Sequence, residues 1–172
     1  MYEVDNRDKV VKLDGVPQSS VGAPIPTVLS NERMAVVAFY LHDTPDDWDG
    51  NSVRIVGVDS EEPAAIIEFK WCYAHMFGPP NDEAFEGHPL YERGLMPYGA
   101  YEIIDSSWIR KLERMNSVHR YHNSERFLGH HHYIFAFHDS TFECVADGFE
   151  ITETSGSMES LLPIMAEKLW AS

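Results

Sequence analysis

The sequence predicts an α+β protein, with a mainly antiparallel sheet, two helices packed on one face and a long irregular loop. Three observations carry this. Apolar runs with strand-like alternation follow one another before residue 78 with no helical segment between them, so neighbours in sequence pair antiparallel. Helical spacing enters late, once after Ser106 and once near the C-terminus. Between these regions Pro79, Pro80, Pro89 and Pro97 forbid a long regular element across 78–99.

With 172 residues, 44% hydrophobic and 12% aromatic, the chain is long enough to bury one core. Residues 1–30 are polar and punctuated by Gly15, Pro17, Gly22, Pro24 and Pro26, so they read as an extended N-terminal arm. Residues 31–172 read as a single α+β domain. Its first strand is expected at 34–42 and its second at 52–58, the two pairing through an acidic loop. A third, at 64–77, places Ile67, Phe69, Trp71, Tyr73, His75 and Phe77 on one face as core or pocket wall, with His75 a satisfied core histidine. In the proline-rich segment only 82–86 can make a helical turn, and a connection of this length is a candidate lid or binding loop. A short strand at 100–104 leads to Ser106, which can cap a helix carrying Trp108, Ile109, Leu112 and Met115. The last helix carries Leu161, Leu162, Met165 and Leu169. Pro163 suits it if it starts near Ser160 and is awkward if it starts at Ser157.

Residues 130–147, HHHYIFAFHDSTFECVAD, read as a β-hairpin that sorts its chemistry onto two faces. A turn at Asp139-Ser140 sets Phe137 opposite Phe142, Phe135 opposite Cys144 and Tyr133 opposite Ala146, an apolar surface. On the other face His138 meets Thr141, Ala136 meets Glu143, Ile134 meets Val145 and His132 meets Asp147. The second strand is expected to run on through Phe149 and Ile151. At roughly 3.3 Å per residue His132 and His138 lie about 20 Å apart and cannot share a metal. Two separate pairs result, His138 with Glu143 on the diagonal and His132 with Asp147. Each can orient a general base, because a carboxylate fixes the imidazole tautomer. The plain structural reading of the same residues is a solvated sheet face with cross-strand ion pairs.

Twenty-eight Asp and Glu stand against 13 Lys and Arg, a formal charge of −15. Such a surface repels phosphate backbones and anionic lipid, so neither nucleic acid nor membrane is an expected partner, whereas a basic protein is. The N-terminus lacks the apolar core of a secretory signal, the longest uncharged apolar run (34–41) is too short to span a bilayer, and Cys72 and Cys144 lie in strand-like runs rather than in a disulfide framework. A cytoplasmic protein is expected. Burial of Cys144 opposite Phe135 would raise its thiol pKa and make it a poor nucleophile.

Nine histidines invite a search for metal spacing. His88, His119 and His122 could supplement either hairpin pair, but HExxH, paired CxxC and zinc-finger patterns are absent, so no metal site is assigned. His88 lies near Glu83, Glu86 and Glu92, whose charge would hold its proton more tightly, and it suits a lid or a turn. The loop DTPDDWDGN fails as a calcium loop. Aligning Gly50 with the obligatory glycine puts Pro45 first and Val56 last. Walker, dinucleotide and Gly-x-Ser-x-Gly motifs are absent too, and no cofactor is indicated.

Two readings follow. The first is an acidic interaction module, of inhibitor or immunity type, that docks a basic protein through Asp43, Asp46, Asp47 and Asp49. The second is a small enzyme or small-molecule binder between the aromatic stripe and the long loop, with His88, His132, His138, Glu143 and Asp147 as acid-base groups or ligands of a divalent metal.

Overall fold

The computed structural model describes residues 2–43 and 55–170. Nine strands form two antiparallel sheets, and three helices cover their outer faces, an α+β arrangement. The five-stranded sheet has the order β1-β6-β7-β8-β5, built from β1 (Lys9–Lys12), β5 (Ala74–Gly78), β6 (Ala100–Ile104), β7 (His131–Ala136) and β8 (Thr141–Ala146). The four-stranded sheet has the order β2-β3-β4-β9, built from β2 (Thr27–Ser30), β3 (Met34–Tyr40), β4 (Glu62–Lys70) and β9 (Gly148–Gly156).

The two sheets pack face to face. Ala35, Val37, Phe39, Ala65, Ile67 and Phe69 from one meet Tyr133, Phe135, Phe142 and Cys144 from the other. Phe69 is the hub, with ring centroids 5.2 to 6.0 Å from Tyr133, Phe135, Phe142 and Phe149. Each sheet is buried a second time on its outer face. Helix α3 (Met158–Trp170) lays Met158, Leu161, Met165 and Leu169 over Val36, Ala38, Tyr40, Ala64 and Ile66, which explains the unbroken apolar run of β3. On the other side the long loop seats Phe85, Leu90 and Leu95 over Tyr101, Ile103, Ile134 and Ala136. Helix α1 (Ser107–Asn116) and α2 (Ser124–Leu128), with Tyr2, cover Val145. The long loop thus works as a third apolar layer, shaped by two 3₁₀ turns at Phe85–Gly87 and Tyr91–Arg93.

Several elements differ from the sequence expectation. Residues 1–30 carry β1 and β2 and so enter both sheets. Strand β3 pairs with β2 and β4. Of the strand expected at 52–58, the described residues 55–58 form none, and the rest lies outside the described residues. The long strand at 64–77 is two strands in different sheets, broken at Trp71, which takes a left-handed φ of 49°. Trp71, Tyr73 and His75 are exposed after the break, His75 at the edge strand beside Phe142 rather than as a core histidine. Asp147 makes the matching corner between β8 and β9, its N–H bonded to the carbonyl of Lys70 at 2.9 Å. Helix α3 begins at Met158 and keeps Pro163 inside it, on the exposed side.

The hairpin is also displaced. Phe135 pairs with Phe142, Tyr133 with Cys144 and His132 with Val145, a register two residues from the expected one. The reversal lies at His138-Asp139, because the His138 carbonyl accepts the Asp82 N–H (2.9 Å) and the Phe137 N–H closes on Ser140 (2.8 Å). A shift of two preserves side-chain parity, so the rings still face the core and Glu143 still shares a face with His132.

Candidate functional site

The polar face of the hairpin is sealed under the arm, α1 and the long loop. Glu143 sits at its centre, with His88 3% exposed, His132 0% and Glu143 3%. Glu143 Oε1 meets His88 Nε2 at 3.0 Å, while Oε2 meets His132 Nε2 at 3.1 Å and accepts the Tyr2 hydroxyl at 2.9 Å. The outer ring nitrogens assign the tautomers. His88 Nδ1 accepts the Leu90 N–H at 3.2 Å, so its proton sits on Nε2 and points at the carboxylate. His132 Nδ1 takes the Ser106 hydroxyl proton at 2.8 Å and likewise donates from Nε2. His132 also stands edge-on to Tyr2 and Trp108, at 5.2 and 5.1 Å between ring centroids.

Burial by itself would raise the Glu143 carboxyl, but hydrogen bonds from His132 and His88 outweigh it and hold the group down at about 2. Burial lowers the His132 pKa, keeping the imidazole neutral, and raises that of the Tyr2 phenol. The result is one buried carboxylate accepting from three neutral donors. Ser106, His132 and Glu143 follow one another as hydroxyl, imidazole and carboxylate. The Ser106 oxygen also caps α1 by accepting the Ile109 N–H at 3.3 Å, and the residue is 2% exposed. Asp8, also buried, accepts the Ser107 N–H at 2.6 Å. These bonds tie the arm, the long loop, α1 and the hairpin into one polar knot.

The other expected partners sort differently. His138 pairs not with Glu143 but with Asp82, Nδ1 to Oδ2 at 3.0 Å, and Tyr98 donates its hydroxyl to the same oxygen. The Tyr98 bond, and secondarily that from His138, lowers the Asp82 pKa, while the same bond lifts the Tyr98 phenol to about 12. His138 Nε2, on a partly exposed ring at the hairpin tip, lies 4.0 Å from Asp139 Oδ1. Asp147 pairs with His130 rather than His132. His88 finds Glu143 rather than the loop carboxylates Glu83, Glu86 and Glu92, which are exposed. His122 binds Glu113 at 2.8 Å, and His119 Nδ1 accepts the Tyr121 N–H, so those two histidines serve different partners.

The two ends of the four-stranded sheet differ in how their charges are partnered. Asp59, Glu61 and Glu62 surround the end where the buried Tyr40 hydroxyl emerges, Asp43 follows on from β3 beside them, and Glu159 opens α3. Asp43, Asp59, Glu61 and Glu159 are exposed and make no ion pair among the described residues. Asp46, Asp47 and Asp49 lie outside the described residues. The opposite end carries a cavity of about 290 Å³ lined by both signs of charge, where Lys70 pairs with Glu150, Lys168 pairs with Glu68 at 2.6 Å, and Arg33 stands 5.5 Å over the Trp71 ring.

Among the described residues no group of three or more His, Cys, Asp or Glu is placed to hold a metal, and no helix is long and apolar enough to cross a membrane. Tyr2, Asp8, Asp82 and Tyr98 escaped the sequence reading as site residues. Only the proline-rich setting of Asp82 and Tyr98 hinted at them. Comparison of the chain with models of protein families, with curated proteins and with solved structures finds no match.

Proposed function

We propose that the protein is an acidic interaction module that docks a basic protein partner, of inhibitor or immunity type, in the cytoplasm. The observation that carries this reading is the group of exposed carboxylates Asp43, Asp59, Glu61 and Glu159 at one end of the four-stranded sheet, which make no ion pair among the described residues. In sequence Asp43 leads directly into Asp46, Asp47 and Asp49, which lie outside the described residues, in a molecule of net charge −15. Charges left unpaired at a surface are free to steer and register an oppositely charged partner. The same field disfavours nucleic acid. Supporting it, the strongest His-carboxylate constellation, His88, Glu143 and His132, is closed to solvent and hydrogen-bonded within the fold.

One observation favours a second reading, that of a small enzyme. Asp82 bonds His138 Nδ1 and orients a partly exposed ring whose Nε2 lies 4.0 Å from Asp139, a carboxylate–imidazole arrangement that suits a general base. Native mass spectrometry of the protein purified from its source cells separates the two. A stoichiometric basic polypeptide, released as ionic strength rises, is expected. A small molecule or metal retained through the same salt series would overturn the docking reading in favour of the enzyme.

A further inference from the structure

The corner between β4 and β5 brings together two free thiols and an imidazole. In the β5 and β8 ladder His75 is the direct partner of Cys144. Cys72, two residues before β5, turns into the same apolar cluster as Cys144. Its backbone is held on both sides, by its own N–H to the Arg33 carbonyl (2.7 Å) and by the neighbouring Tyr73 N–H to the Val145 carbonyl (2.8 Å). Its thiol reaches the Ala74 carbonyl at 3.6 Å, and Cys144 and His75 are the neighbours whose groups act on it electrostatically. Access is unequal. Cys144 is 0% exposed, whereas Cys72, 6% exposed, lies beside Trp71 (54%) and Tyr73 (50%) at the open edge of the sheet.

We propose that Cys72 and Cys144 are a redox-active thiol pair that reduces a hydroperoxide and closes to a disulfide, with His75 as the proton carrier. Cys72 gives its proton to His75, and its sulfur attacks the terminal oxygen of the hydroperoxide. The O–O bond breaks, the alcohol leaves with the proton from His75, and Cys72 becomes a sulfenic acid. The Cys144 sulfur then attacks the Cys72 sulfur. An S–S bond forms, the S–O bond breaks, and hydroxide departs as water with the Cys144 proton. Two thiols are oxidised and one peroxide is reduced to alcohol and water.

The division of labour follows from the surroundings. The neighbouring Cys144 and His75 lower the Cys72 thiol below its ordinary value, which favours its thiolate. Burial raises Cys144, which keeps it protonated until a sulfenic acid forms beside it. This pair is independent of the acidic docking surface.

The test is to expose the folded, reduced protein to hydrogen peroxide, block remaining thiols with N-ethylmaleimide and map the peptides by mass. Loss of two hydrogens with a cross-linked Cys72 and Cys144 peptide is expected. In Cys144→Ser a dimedone adduct should accumulate on Cys72, and Cys72→Ser should leave Cys144 unmodified. His75→Asn, at the exposed edge strand, should slow alkylation of Cys72 at neutral pH about ten-fold without changing the unfolding midpoint. Oxidation that stops at Cys72 in the wild-type protein, modification of Cys144 first, or both thiols reacting no faster than free cysteine would each overturn the proposal.

Discussion

Glu143 decides how the buried polar knot behaves, because an ionised carboxylate there has value only while His88, His132 and Tyr2 all donate to it. Replacing it with glutamine keeps the shape but turns an amide N–H against a donor. Glu143→Gln should therefore lose about 2 to 4 kcal/mol in denaturant unfolding. Tyr2→Phe removes one donor of three and should lose about 1 kcal/mol by the same measurement. The acid response follows from two depressed folded-state values. His132 is held below its ordinary 6.5, so below that pH the unfolded chain binds a proton that the native state refuses, and stability falls with pH. Glu143 is held at about 2 against an ordinary 4.5, so its contribution is intact above 4.5 and disappears as pH falls towards 2. Thermal melts between pH 7 and 3 should show both declines, and His132→Gln should remove the upper one. A melting temperature flat from pH 7 to 5 in the wild type would contradict the neutral, buried imidazole.

The secondary-structure elements show where local patterning suffices and where it stops. Strand β6 and helix α1 with its Ser106 cap agree with the spacing of their apolar residues, since capping and periodicity are local properties. The hairpin faces were legible for the same reason. Its register was not, because Asp82 and Tyr98, remote in sequence, hold His138 in the reversal. The break at Trp71 was equally hidden, as nothing in an alternating run announces that its two halves join different sheets. Pro163 is a local cost retained within α3, where it removes a backbone donor while Leu161 and Met165 stay buried around it. Pro163→Ala should raise stability by about 1 to 2 kcal/mol, the restored helix bond being partly offset by a freer unfolded chain. Phe69→Ala removes the ring that both sheets share and should lose about 3 to 5 kcal/mol, read by the same chemical denaturation.

For the molecule entire, a charge of −15 works against compactness and for encounter with a cationic partner. Salt should act in opposite directions on the two. Raising ionic strength from roughly 0.01 M to 1 M shortens the screening distance from about 30 to about 3 Å, which should raise the melting temperature of the free protein and, on the proposed docking function, weaken a complex with a basic protein. Asp59→Asn combined with Glu61→Gln should slow association with the basic polypeptide about three- to ten-fold in stopped-flow mixing, leaving dissociation little changed. Strand parity and the α+β class followed from the order of residues, because alternation is read within a few positions of each residue. The partners of each histidine came only with the folded chain, since contacts such as Tyr2 with Glu143, 141 residues apart, depend on which layers cover which sheet. Stacking of layers, not local pattern, turned a face that the sequence offers as solvated into the closed interior where Glu143 lies.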